Sequence, residues 1–211
     1  MALIGEYIKN LIQLVFAPEK GWEDIEGRSL EDNAPDGISQ RNAVHRSSNP
    51  EVEDQKAARD YYQCFLPLAA LCGSSAFVRL FYSDALDFLG AFQRALITFV
   101  TLFLASQIAR FGFLYYLPRL MRTGMEISRA RVLNMIMYCL TFLGMITLMS
   151  NIVKVRIALI EFLPFYVIFI IWKGWKYLGV DERHEGIFMI LATALILGSV
   201  YIISFILNSL L

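Results

Sequence analysis

The sequence predicts an all-α fold, a polytopic membrane helix bundle with five transmembrane helices and an N-terminal amphipathic interfacial helix. Three observations predict it. Five long apolar stretches fill the chain from Tyr61 to Leu211, and each is read as long enough to cross ~30 Å of hydrocarbon. They are apolar all round, whereas a soluble domain would show helical or strand periodicity. The short loops between them gather most of the nearby Lys and Arg. Composition agrees: 57% of residues are hydrophobic, mean hydropathy is +0.52 and only 18% are charged, below the ~25% usual for soluble domains. A barrel would need ~10-residue alternating segments, and these runs do not alternate.

The first element is an expected interfacial segment over residues 1–25. Leu3, Ile4, Tyr7, Ile8, Leu11, Ile12, Leu14 and Val15 form a broad apolar face, and Glu6, Lys9, Asn10 and Gln13 form the opposite stripe, as a period of 3.6 requires. Pro18 ends that helix or starts a second short one through Ile25, and Trp22 suits the headgroup layer. A cleaved signal peptide fits poorly: there is no basic n-region, Glu6 and Lys9 interrupt the apolar core, and no small-residue cleavage site follows. The segment is expected to lie on the membrane without crossing it.

Residues 26–58 read as a disordered polar linker. The stretch has no aromatic residue and scatters turn formers such as Pro35, Gly37 and Asn49-Pro50, so it cannot bury enough apolar surface to offset its ordering entropy. EDNAPDG lacks the alternating ligands and terminal Glu of a calcium loop.

The transmembrane domain, 59–211, holds the spans at about 61–80, 88–109, 132–153, 155–172 and 186–211. Pro67 and Pro164 fall inside the first and fourth and are candidate helix kinks, tolerated in a bilayer where neighbours satisfy the freed carbonyls. Cys64, Cys72 and Cys139 all lie in apolar runs and read as small buried hydrophobes, not as a disulfide framework.

Flanking cations set the orientation. With the N-terminus inside, three lie before the first span (Arg46, Lys56, Arg59), five between the second and third (Arg110, Arg119, Arg122, Arg129, Arg131) and three between the fourth and fifth (Lys173, Lys176, Arg183). The opposite face receives only Arg79, Lys154 and Arg156. A cytoplasmic N-terminus and an outside C-terminus are expected. The 19 basic residues balance 19 acidic ones, so nothing points to a nucleic-acid partner.

Arg94 and Glu161 are the charges set well inside spans, each about 9 Å from the outer end at 1.5 Å per residue. Opposite charges at one depth make a candidate intramembrane ion pair, because each alone is costly in hydrocarbon. The bland readings are a structural pair or a snorkelling Arg94; the sharper one is an ion or proton relay. Trp22, Trp172 and Trp175 are candidate interfacial anchors. His45 and His184 are the two histidines, and without HxxxH, CxxC or HExxH spacing no metal site is expected. No catalytic residue and no cofactor are expected either, since neither a phosphate loop nor a GxSxG elbow occurs.

Ser106-Gln107, Asn134 and Thr141 read as interhelical hydrogen-bonding groups. Ala69-x-x-x-Gly73, Ala70-x-x-x-Ser74 and Ala194-x-x-x-Gly198 have close-packing spacing, for the bundle itself or for self-association. In RFGFLYYLPRLMRTGMEISRAR, aromatics stand among five arginines, which suits an anionic inner leaflet or a protein partner.

A polar N-terminal region followed by five spans, LIQLVFAPEKGWEDI at the start, and an aromatic helix leaving through W-x-G-x-x-x-L (Trp172, Gly174, Leu178) into a charged turn resemble the Yip family. These are the Ypt/Rab-interacting five-span membrane proteins, and the likeness is to their bacterial members. The resemblance covers nearly the whole chain and implies a noncatalytic membrane protein. In eukaryotic members it implies vesicle traffic through Rab GTPases and a DLxGP motif. CFLPL stands here instead, retaining Pro67, which counts against a small-GTPase contact.

The reading is a noncatalytic adaptor or organiser of the bacterial inner membrane. Its partners would be the lipid bilayer and another membrane protein or a second copy. The alternative is a small transporter or transporter subunit using an Arg94–Glu161 site.

Overall fold

A single non-helical residue, Ala17, separates the first two helices, because Pro18 cannot donate to Leu14 but is pre-organised to begin a new helix. Helix α1 covers Ala2–Phe16 and α2 covers Pro18–Glu31. The computed structural model describes residues 2–31, 50–82, 87–119, 128–153 and 158–210. The remaining helices are α3 (Pro50–Asp60), α4 (Leu66–Ser74), α5 (Phe88–Tyr116), α6 (Arg129–Ile152), α7 (Ala158–Lys173), α8 (Glu185–Thr193) and α9 (Ser199–Leu210). Most of the linker, the centre of the arginine-rich loop and the start of the fourth span lie outside the described residues.

Among the described residues, four helical runs are long and apolar enough to cross a membrane: Glu51–Phe81, Phe88–Arg119, Arg129–Ile152 and Glu182–Leu210. They correspond to the expected first, second, third and fifth spans. Helix α7, where the fourth was expected, is 16 residues long, about 24 Å at 1.5 Å per residue.

Three boundaries differ from the expectation. The first span continues backward without a break into α3, so the linker reading fails from Pro50 to Ala58. Extending a formed helix costs far less than starting one, Glu51 and Glu53 favour its first turn, and Ala57 and Glu53 are buried. The linker reading fails also at 26–31, which belong to α2. The second span runs on past Ala109 to Arg119, because Phe113 and Leu117 keep one face buried while Arg110 and Phe111 point outward.

Both prolines sit within helical runs. Pro67 follows a π-helical turn at Tyr61–Phe65, in which Leu66 N–H bonds the Tyr61 carbonyl. The wider turn makes room for a ring that would clash with the carbonyl four residues back. Pro164 lies inside α7.

Helix α6 is the hub. Protein buries 72% of its most apolar stretch, against 28–39% in the other three spans. The first span, α5 and α7 pack on it; α9 packs on α5, and α8 on α7. Between α7 and the Tyr61–Phe65 turn the ring is closed by the N-terminal hairpin, α2 against α7 and α1 against the turn. Small residues permit the tightest approaches. A Cβ on Gly73 would stand 2.7 Å from the Ala95 carbonyl oxygen, and one on Gly21 2.7 Å from the Leu14 Cα. The Ala69/Gly73 pair therefore serves packing inside the bundle, whereas Ala70 and Ser74 are exposed and Gly198 has open space around it.

Candidate functional site

The site begins with a pattern on α6 and its cap. Ser128, Arg131, Asn134, Tyr138 and Thr141 follow one another at intervals of three or four, which sets them in one row along a helix. This is a polar stripe on the most buried helix of the bundle. Polar groups there need partners, because in hydrocarbon an unmade hydrogen bond costs several kcal/mol, roughly. The partners come from the hairpin, α3, and the turn after α7.

At the outermost position, Ser128 caps α6, accepting from Arg131 N–H at 3.3 Å and donating to Glu53 Oε2 at 3.2 Å. Glu53 is buried and its Oε1 has no hydrogen-bond partner. The positive end of α6 supplies the compensating field. One turn on, Arg131 Nη1 lies 3.0 Å from Glu26 of α2 and donates to the Tyr177 carbonyl at 3.1 Å, with its guanidinium 5.7 Å from the Tyr177 ring centre.

Tyr177 reaches this place because the chain leaving α7 coils through residues 174–179, and Gly179 turns it back at φ 70°, a conformation glycine adopts without strain. The Asn134 amide donates to the Tyr177 hydroxyl at 3.4 Å. Burial pushes that phenol up to about 12, against the opposing effects of the Asn134 hydrogen bond and the Arg131 charge.

Deeper along the stripe, the hairpin is the main partner. Tyr7 stacks on Tyr138 with ring centres 4.7 Å apart, and its hydroxyl is 2.9 Å from Thr141 Oγ1. Asn10 Nδ2 donates to the Tyr138 hydroxyl at 3.3 Å. Trp22 stacks on Tyr177 at 4.9 Å, meets Tyr138 edge-on at 6.3 Å, and donates its indole N–H to the Ile170 carbonyl at 3.1 Å. Along α7, Tyr166 donates to the Val15 carbonyl at 2.6 Å and Lys173 pairs with Glu19 at 3.3 Å. Glu19, Trp22 and Glu26 lie on one face of α2, so the indole is seated between two ion pairs.

This seam corrects the expected role of Trp22. It is 3% exposed and is an anchor to protein, not to the headgroup layer, because three aromatic and amide partners converge on it. Nor does the inner half of the α1 apolar face meet lipid: Tyr7, Leu11 and Leu14 are buried by the bundle. Trp172 is half-exposed, donates its N–H to Glu185 and lies under Lys173 Nζ at 4.9 Å. Trp175 packs partly into the core, with Lys176 Nζ 5.6 Å from its ring.

Arg94 is exposed on the outer surface of α5, where the Thr98 hydroxyl donates to its carbonyl at 2.9 Å. Glu161 belongs to α7, but its side chain lies outside the described residues, so no pair with Arg94 is observed. Thr141 makes the interhelical bond expected of it, as do Ser106 and Gln107, which meet the Tyr61 hydroxyl at 2.8 Å each; Asn134 bonds the turn after α7 instead. The three cysteines are free and buried.

Tyr7, Tyr138, Tyr177 and Arg131 carry much of the seam; from the sequence, Tyr7 is named only for an apolar face and Arg131 only as a flanking cation, and Tyr138 and Tyr177 are not named. The signal was present in the spacing. Reading the third span for polar residues three or four apart finds the whole row, whereas hydropathy averages it away. No family model, curated protein or solved structure matches this chain.

Proposed function

We propose that this is a noncatalytic, five-span membrane protein of the Yip type, an adaptor or organiser acting through its helices and cytoplasmic face. Helix α7 is the fourth span in this reading, the N-terminus is cytoplasmic and the C-terminus outside, in a bacterial inner membrane. The observation that supports an adaptor is the use made of the stripe on α6. Ser128, Arg131, Asn134, Tyr138 and Thr141 each bond another segment of the chain. The deepest polar side chains of the hub are committed to holding the hairpin in place. What α2 presents outward is charged and exposed, including Lys20, Glu23 and Asp24. Elsewhere on the bundle, the end of α5 exposes Phe111, Tyr115 and Tyr116. Charge on a fixed helix and exposed aromatics are each suited to a protein partner. Arg94, on the outside of α5, lends no support to a transport path.

A photocrosslinking residue at Glu23 should trap one discrete heteromeric adduct in living cells, while a cytoplasm-only reporter fused after Leu211 should stay silent. An active reporter would overturn the orientation or the odd span count. Discharge of an imposed ion gradient by the purified protein in vesicles, with no adduct at Glu23, would favour transport over an adaptor.

A further inference from the structure

Helix α1 has more apolar surface than the bundle covers. At about 100° per residue, Leu14, Tyr7, Leu11, Ile4 and Val15 occupy one half of its apolar arc, packed on the bundle. The other half continues through Ile8 and Ile12 to Phe16, and there Ile12 is 49% and Phe16 84% exposed. The polar arc is turned elsewhere. Asn10 bonds Tyr138 of α6 and Gln13 bonds Asp24 of α2, so that arc is engaged by α6 and by the hairpin's own second helix. Lys9, on the border, is long enough to carry its charge toward the headgroups.

Two helices measure the depth independently. The pairs Glu26–Arg131 and Glu19–Lys173 place α2 at the charged rim of the bundle. Tyr138 and Thr141 lie seven and ten residues further into α6 than Arg131, about 10 and 15 Å at 1.5 Å per residue. Tyr166 lies seven residues into α7 from Lys173, again about 10 Å. All three touch α1. Half the hydrocarbon thickness is about 15 Å. Thus α1 lies at acyl-chain depth in one leaflet, with α2 above it at the rim beside Lys20, Lys173 and Lys176.

We propose that α1 is a single-leaflet wedge whose Ile8–Ile12–Phe16 edge is covered by lipid acyl chains, with the rim lysines facing anionic headgroups. The edge is continuous with the lipid-facing surface of α7. The Tyr166–Val15 bond brings the end of α1 beside Phe162 and Phe165, which are themselves exposed. A helix inserted at this depth enlarges the protein's cross-section in that leaflet and favours bilayers curved toward it. The inference rests on the membrane bundle, not on which side is cytoplasmic nor on an adaptor role.

The test uses the full chain in vesicles of phosphatidylcholine and phosphatidylglycerol. A spin label at F16C should collide with oxygen and be shielded from a water-soluble nickel chelate, while one at E23C should show the reverse. In a mixed population, the wild type should be enriched on small vesicles over large ones, and the I12S/F16S variant should lose that enrichment. Both substitutions are at exposed positions, and unchanged Trp22 emission in a W172F/W175F background verifies that the variant is folded. Nickel access at position 16, or equal enrichment of variant and wild type, would overturn the wedge.

Discussion

Replacing Trp22 with alanine should detach the hairpin and cost about 3–5 kcal/mol, the range for removing a buried aromatic. The indole is 3% exposed, stacks on Tyr177 and meets Tyr138, so its loss leaves a cavity where α2, α6 and the turn after α7 converge. Trp22→Phe should cost far less. It keeps most of the packed area and loses one hydrogen bond, worth roughly 1 kcal/mol, and the Ile170 carbonyl still accepts from Gly174 N–H. Unfolding followed by denaturant titration in detergent measures both, and protease sensitivity of the hairpin reports its release. Equal losses from the two variants would mean that the hydrogen bond, not the packing, holds the hairpin.

Gly73→Leu should be clearly destabilising. Even a Cβ there meets the Ala95 carbonyl oxygen at 2.7 Å, and neither backbone can yield without separating α4 from α5. Overpacking of this kind costs about 1–3 kcal/mol and occasionally more. Gly198→Ala is the matched control. A Cβ there meets nothing within 4 Å, and alanine is the better helix former by up to about 1 kcal/mol. The first should lower thermal stability clearly and the second should hold or raise it. Both glycines belong to small-residue pairs of identical spacing, so the spacing alone does not predict the outcome.

That contrast shows what was legible in the sequence. Apolar length alone predicts five spans, and four of them are, among the described residues, helices long and apolar enough to cross a membrane, because burying a backbone in hydrocarbon demands helix whatever the tertiary contacts. Which face of a span meets protein is a different question, since lipid and protein interiors are equally apolar and Leu, Ile and Phe serve both. Polar residues break that degeneracy. Thr141, Ser106 and Gln107 are interhelical donors and acceptors, and Asn134 bonds the turn after α7. Tyr138 and Tyr177 did not stand out, being aromatic as well as polar and therefore unremarkable in a membrane run.

The protein-packed side of the N-terminal segment escapes the sequence for a related reason. Its amphipathic pattern states only that one side is apolar, and both a membrane surface and a groove between helices satisfy it. Glu19, Trp22 and Glu26 on one face of α2, with Arg131 and Lys173 at two helix ends, resolve the choice through charge pairing that no local pattern contains. Helix α3 was hidden by composition. A polar run looks like a linker until it continues a helix already formed below it.

The central claim is that the N-terminal hairpin is an integral wall of the bundle, seated through Trp22. The most direct measurement is fluorescence quenching of the W172F/W175F protein, whose one remaining tryptophan is Trp22, in lipid vesicles. Acrylamide probes contact with water and brominated acyl chains probe contact with lipid. An indole walled in by Tyr177, Tyr138 and Ile170 should be protected from both. Strong quenching by brominated lipid would return Trp22 to the membrane interface, strong quenching by acrylamide would place it in solvent, and either would contradict the docked hairpin.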